Sequence, residues 1–100
     1  MINQFVAVGR LVEEPIFYKN DDKNFFEITL AVPRNYKNEN GEYDTDFIAC
    51  KLWHTIGGSV AELCHKGDLL GIKGHVESEN KIISIVAEKV TFLTSKKADE

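Results

Sequence analysis

The chain has 100 residues, and 12 Lys and Arg against 16 Asp and Glu give it a formal net charge of −4 at pH 7. That length makes one domain, just able to bury a core without disulfides or metal. The charge balance argues against a strongly basic nucleic-acid binder, and no apolar run reaches the length of a transmembrane helix.

The start MINQFVAVGR has no basic region, apolar middle or cleavage site of a signal peptide, so a cytoplasmic location is expected. Cys50 and Cys64 are the only cysteines, and in that compartment they are expected to be small buried hydrophobes. Cys50 with His54, and the adjacent Cys64 and His65, could in principle bind a metal, but Cys50 and His54 should lie on opposite sides of a strand end or beyond its last turn, so no metal or cofactor is expected.

Residues 2–12 read as a first strand, β-branched and aromatic, with Gly9 marking a bulge or sharp coil. Residues 13–24 read as a polar loop, broken by Pro15 and by Asn20, Asp21 and Asp22. In residues 25–33, Phe26, Ile28, Leu30 and Val32 alternate with Phe25, Glu27, Thr29 and Ala31, the period of a second strand. Residues 34–46 form a long hairpin loop with a turn at Asn40-Gly41. Residues 45–55 are the third strand. A two-turn helix follows, with Ser59 as cap, Glu62 closing a capping box and Gly67 as the left-handed stop. Residues 69–77 are a fourth strand, 78–81 a tight turn, and 82–93 a fifth strand with a slip of phase near Glu88 and Lys89. Three strands, one short helix and two strands give an all-β, five-stranded Greek-key OB-fold barrel with one short helix between strands 3 and 4. The domain is expected over residues 1–94, with a short polar tail at 95–100.

The third strand carries the chemistry. Ile48, Cys50 and Leu52 have the composition of a core face, which leaves Phe47, Ala49, Lys51 and Trp53 on the other. Two large aromatics beside a lysine on a non-core face have two readings. In the packing reading, Trp53 lies under the helix and Phe47 at a subunit contact. In the stacking reading, the rings take bases and the lysine meets phosphate. Arg34-Asn35-Tyr36-Lys37 adds a third aromatic between two cations.

The run RNYKNENGEYDTDFIACKLW resembles the replication OB-domain of the bacterial single-stranded DNA-binding proteins. MINQFVAVGRLVEEP is similar to that family's opening strand, FEITLAVPRNY to its second strand, and VAELCHKGDLLGIKGHV to its helix and fourth strand. The resemblance spans residues 1–93 and rests on these segments occurring in order. It implies sequence-independent binding of single-stranded DNA in replication, repair or recombination, near the nucleoid, without catalysis. It implies stacking by Tyr36, Phe47 and Trp53, and phosphate contacts by Arg34, Lys37 and Lys51. Arg10 is a further candidate, with a salt bridge to Glu13 or Glu14 as its alternative role. It also implies a homo-oligomer, a tetramer before a dimer, assembled on the first strand.

Three departures bear on function. The hairpin between the last two strands is nearly absent, which implies a smaller footprint. Glu77 and Glu79 stand where the family is basic, so that flank should repel phosphate. The family's acidic, Phe-tipped tail is not among the residues after Lys96, Lys97 and Asp99; if the gene product ends there, tail-mediated recruitment of replication proteins is lost, and if it continues, nothing follows from the ending. The second reading of function is a primosome-type or mobile-element interaction module with weak binding of single-stranded DNA or RNA. The acidic residues cluster at 13–14, 21–22, 39–46 and 77–79, away from the cations beside the aromatics, so a negative total leaves room for a locally positive track.

Overall fold

The computed structural model describes residues 1–19 and 24–93, and all of their side chains but those of 54 and 55. The strands are β1 (Phe5–Leu11), β2 (Ile16–Lys19), β3 (Asn24–Lys37), β4 (Tyr43–Trp53), β5 (Leu69–Glu79) and β6 (Ile82–Phe92), with helix α1 (His54–Leu63) between β4 and β5. Five strands close into a ring. β1 pairs with β5, β5 with β6 and β4 with β3, all antiparallel, and β6 joins β4 in parallel through Cys50↔Ile85 and Lys51↔Val86. β3 returns to β1 through Arg10↔Ala31 and Leu11↔Leu30. This is the expected OB-fold barrel, with β2 added outside the ring on β3.

The period of two sets the inside. Ile28 and Leu30 on β3 lie opposite Cys50 and Ile48 on β4. Leu11, Leu52, Leu70, Ile72 and Ala87 add to the strand contribution, and Val60 of α1 with Cys64 at its C-cap joins the same core. Burial pushes the thiols of Cys50 and Cys64 up to about 11, so both remain protonated hydrophobes. Among the described residues, no group of three metal-ligating side chains occurs and no helix is long and apolar enough to cross a membrane.

Three local expectations need correction. Residues 16–19 are a strand, not loop: Phe17 packs on Phe26 and Tyr18 on Phe25 across the β2–β3 pairing. Residues 20–22, expected in the same loop, lie outside the described residues. The hairpin loop shrinks to residues 38–42, because β3 and β4 continue to Lys37↔Tyr43 past a bulge. Asn38 organises that turn, its Oδ1 accepting from the backbone N–H of Asn40 at 2.8 Å and of Glu42 at 3.0 Å. The helix starts five residues before Ser59, which sits exposed in its middle. Trp53 is the N-cap in extended conformation and no side chain caps it. Tertiary packing overrides the capping signature. Gly57 lies against the Phe26 ring, where any Cβ would overlap it, so this glycine lets α1 close on β3. Gly67 does have positive φ, +94°, but beyond the helix end, in a turn whose N–H donates to the Leu11 carbonyl.

The slip near Glu88 is a bulge. Lys73 faces Lys89 while Gly74 faces Ala87, so Glu88 is the extra residue. The β5–β6 turn is only Asn80-Lys81, both at positive φ, the geometry of a type I′ hairpin. The strands leading to it project from the barrel, since the neighbouring residues Ile82 and Ile83 are both about 70% exposed. The loop is as short as expected, but the hairpin itself is a long ribbon. The tail after residue 93 lies outside the described residues.

Candidate nucleic-acid interface

The outer face of β4 is built by alternation. Cys50 and Leu52 point inward, so Tyr43, Phe47, Lys51 and Trp53 point out. Phe47 is 67% exposed, which separates it from any core role in the isolated chain. Trp53 is half-buried against Phe25, its cross-strand partner, at 5.9 Å between ring centres in edge contact. Tyr18 stacks on the far side of Phe25 at 5.3 Å. Its hydroxyl reaches Glu27 at 3.4 Å, and the Glu27 carboxylate raises the phenol above its ordinary pKa. The Lys51 ammonium lies over both rings of the Phe25–Trp53 pair. Tyr18, Phe25, Trp53 and Lys51 thus form one aromatic-cationic tier across β2, β3 and β4.

The other candidates divide between two sides. Arg10 pairs with Ala31, and Ala31 with Phe47, so Arg10 shares the face of Phe47. It donates to the Gly67 carbonyl at 3.0 Å. Glu14 accepts from the backbone N–H of Lys66 at 2.9 Å and lies 3.4 Å from the His65 ring. Lys37 lies opposite Tyr43 on the Phe47 side, with its ammonium 5.9 Å from the centre of that ring. Alternation turns Tyr36, 64% exposed, to the reverse side of the β3–β4 ribbon. Arg34 is on that reverse side too. Its Nε and Nη2 grip both oxygens of Asp46 at 2.9–3.2 Å, with Asp44 at 3.9 Å. The guanidinium holds the Asp46 carboxyl below its usual range, and the carboxylates raise the guanidinium. The structure therefore gathers Phe47, Trp53, Lys51, Lys37 and Arg10 on one face and leaves Tyr36 and Arg34 on the other.

A groove beside this face runs between β4 and the β5–β6 ribbon. Lys51, Trp53, Glu77, Glu79 and Ser84 line one part of it, and Glu27, Ala49, Lys51 and Ile83 the next. The acidic flank at Glu77 and Glu79 is thus a wall of the same groove that Lys51 and Trp53 floor. Tyr18, Phe25 and Tyr43 were not among the sequence candidates. Phe25 was legible from its place in the outward alternation of β3. Tyr18 was hidden by the loop assignment, and Tyr43 by the length assigned to the hairpin loop.

Residues 2–93 match the single-strand binding protein family. The single-stranded DNA-binding protein of Lactiplantibacillus plantarum is 34% identical over all of this chain and 55% of its own length. Single-stranded DNA-binding protein B of Bacillus subtilis is 33% identical over 96% of this chain and 94% of its own length. The crystal structure of wild-type single-stranded DNA binding protein from Thermus aquaticus superposes with a TM-score of 0.76 at 19% identity, over 95% of this chain and 52% of that one. The chain spans just over half the length of the Lactiplantibacillus relative, and its fold is that of the Thermus protein. With the barrel, the outward aromatics and the family match over nearly its whole length, the chain belongs to the single-strand binding protein family.

Proposed function

We propose that the chain binds single-stranded DNA without reading its sequence, protecting it in replication, repair or recombination. Bases stack on Phe47 and Trp53, with Tyr43, Phe25 and Tyr18 extending the ring surface. Lys51, Lys37 and Arg10 meet phosphates. Tyr36 takes a base where the strand crosses the edge of the β3–β4 ribbon, and Arg34 joins once released from Asp46. One observation carries this reading: Phe47, 67% exposed, shares a face with Lys51 and Trp53, outside the core. An exposed ring there gains nothing from folding, whereas each base stacked on it gains about 1–3 kcal/mol. The names of the relatives support the same reading. The test is quenching of Trp53 fluorescence by oligo-dT, titrated with salt. Quenching with an affinity that falls as salt rises is expected; no quenching at low salt sinks the reading.

The active form is proposed to be a homo-oligomer, a tetramer before a dimer, assembled through β1. Val6 and Val8 are 67% and 48% exposed there, beside Gly71, Thr91 and Leu93. A mass measurement in solution, with and without oligo-dT, gives the subunit number and stoichiometry; a monomer in both rejects this assembly. One observation favours a second reading, a primosome-type or mobile-element interaction module with weak DNA or RNA binding. Glu77 and Glu79 wall the groove beside Lys51 and Trp53. That reading gains if oligo-dT fails to quench Trp53, and oligo-U as competitor separates RNA from DNA.

A further inference from the structure

The His75 imidazole lies between two carboxylates. Its Nε2 is 2.7 Å from Glu77 Oε2 and its Nδ1 is 2.6 Å from Glu88 Oε2. Both partners are acceptors. A neutral imidazole carries one N–H and would leave its other nitrogen lone pair facing a carboxylate oxygen, whereas an imidazolium donates to both. The arrangement therefore selects the protonated ring. In agreement, hydrogen bonds to Glu77 and Glu88 raise His75 above its ordinary pKa of 6.5.

This cluster belongs to the groove. Lys51 on β4 is level with Val86 on β6, and Val86 with His75 on β5. Two strand spacings put His75 about 10 Å from Lys51 across the sheet. Glu77, the next residue outward on the same face of β5, lines the groove with Lys51 and Trp53. Glu88 reaches His75 because the bulge at Gly74 makes it the extra residue of β6. The other charges on these strands are Lys73 and Glu79 on its own strand, Lys89 opposite Lys73 on β6, and Lys51 on β4. On the β1 side, Asn3 bonds Val76 and Phe5 pairs with Gly74, and neither is charged.

We propose that His75 is a positioning residue of the groove, which in its protonated form draws the Glu77 carboxylate away from the path of the strand and makes single-stranded DNA bind more tightly. The proposal rests on the single-stranded DNA reading above and adds its regulation. Two carboxylates and one imidazolium leave the cluster one net negative charge; loss of the proton leaves two. As pH rises through the raised pKa of His75, Glu77 is released and the wall becomes more negative. Affinity therefore falls with rising pH.

The experiment is oligo-dT affinity of the full chain at about pH 6 and about pH 8, at fixed low salt. The wild type should lose about twofold to fivefold in affinity across that interval. His75→Gln should bind more weakly than wild type at the lower pH and show a flatter profile. Glu77→Gln should bind more tightly at the higher pH and also flatten the profile. An NMR titration of the His75 ring in the wild type removes dependence on the fold of the variants. It should titrate above its ordinary value, and lower in Glu77→Gln. Binding with parallel pH profiles in wild type and His75→Gln overturns the role of His75 alone, as does a ring that titrates at or below 6.5. No binding at either pH overturns the single-stranded DNA reading, and this inference with it.

Discussion

Lys51 holds its ammonium 5.5 Å from the centre of the Trp53 ring, and at the same time 4.7 Å from that of Phe25. The cation thus covers ring surface that a base would use. An exposed cation–π contact is worth about 0.5–1 kcal/mol, and a base stack about 1–3 kcal/mol. On the proposed binding mode stacking would win, and the displaced ammonium would swing to the phosphate of the same nucleotide. Lys51→Met should therefore leave Trp53 quenching by oligo-dT intact. It should weaken binding for all sequences alike and lower the log–log salt slope by about one. An unchanged slope would show that Lys51 only covers the rings.

Trp53 stands between two roles, because its partners are Phe25 and Lys51 on the outer face rather than the core. The buried cluster of Leu52, Ile28 and Cys50 lies on the other side of the sheet. Trp53→Ala should then lose about 1–3 kcal/mol of oligonucleotide affinity and keep the cooperative unfolding transition. Leu52→Ala should do the reverse, costing about 2–5 kcal/mol of stability. If Trp53→Ala unfolds the domain, the ring is a packing residue.

Arg34 and Asp46 form a two-pronged pair on the reverse of the ribbon, with both side chains nearly half exposed. Such pairs add little to stability, but this one cancels a cation near the proposed path of the strand. Asp46→Asn should leave the fold unchanged, free Arg34 and tighten low-salt oligo-dT binding by about twofold to threefold. Because the Asp46 pKa is lowered by its bond to Arg34, what the pair contributes is present above the ordinary carboxylate pKa. It is lost as pH falls through the lowered value. Identical binding by wild type and Asp46→Asn would place Arg34 away from the DNA.

The barrel was legible because its core obeys a period of two, as Ile28, Leu30, Cys50 and Leu52 do. The outward set at Phe47, Lys51 and Trp53 followed from the same alternation, and the slip at Glu88 from its break. Local signals failed where a distant contact decides. The Ser59 capping box is outvoted by Gly57 fitting against Phe26, thirty-one positions earlier in the chain. β2 is short and exposed, and exists through pairing with β3, so a four-residue run among polar neighbours gave no usable period. Arg34 and Lys37 look equivalent in the sequence. They stand an odd number of positions apart, so strand alternation sends them to opposite sides, but this shows only once β3 is seen to run on to Lys37 rather than end in a loop.

The same geometry that exposes Glu88 makes Gly74 intolerant of a side chain. A Cβ at Gly74 would overlap the Val86 carbonyl oxygen and crowd the Ala87 Cα at 3.0 Å, both backbone atoms of the bulged strand. Neither retreats without opening the β5–β6 ladder. Three residues earlier, a Cβ on Gly71 would meet only side-chain atoms at 3.6–3.8 Å, ordinary van der Waals contact. Gly74→Ala should therefore destabilise the domain by about 2–4 kcal/mol in urea unfolding. Gly71→Ala should stay within about 1 kcal/mol of wild type, since the loss of chain entropy in the unfolded state favours it. At urea concentrations where Gly74→Ala remains folded, the opened ladder should also loosen Glu88 from His75 and shift that ring's titration toward its ordinary value. Equal stability of the two variants would show that the barrel yields at the bulge, and that the placement of Glu88 does not depend on the close approach at Gly74.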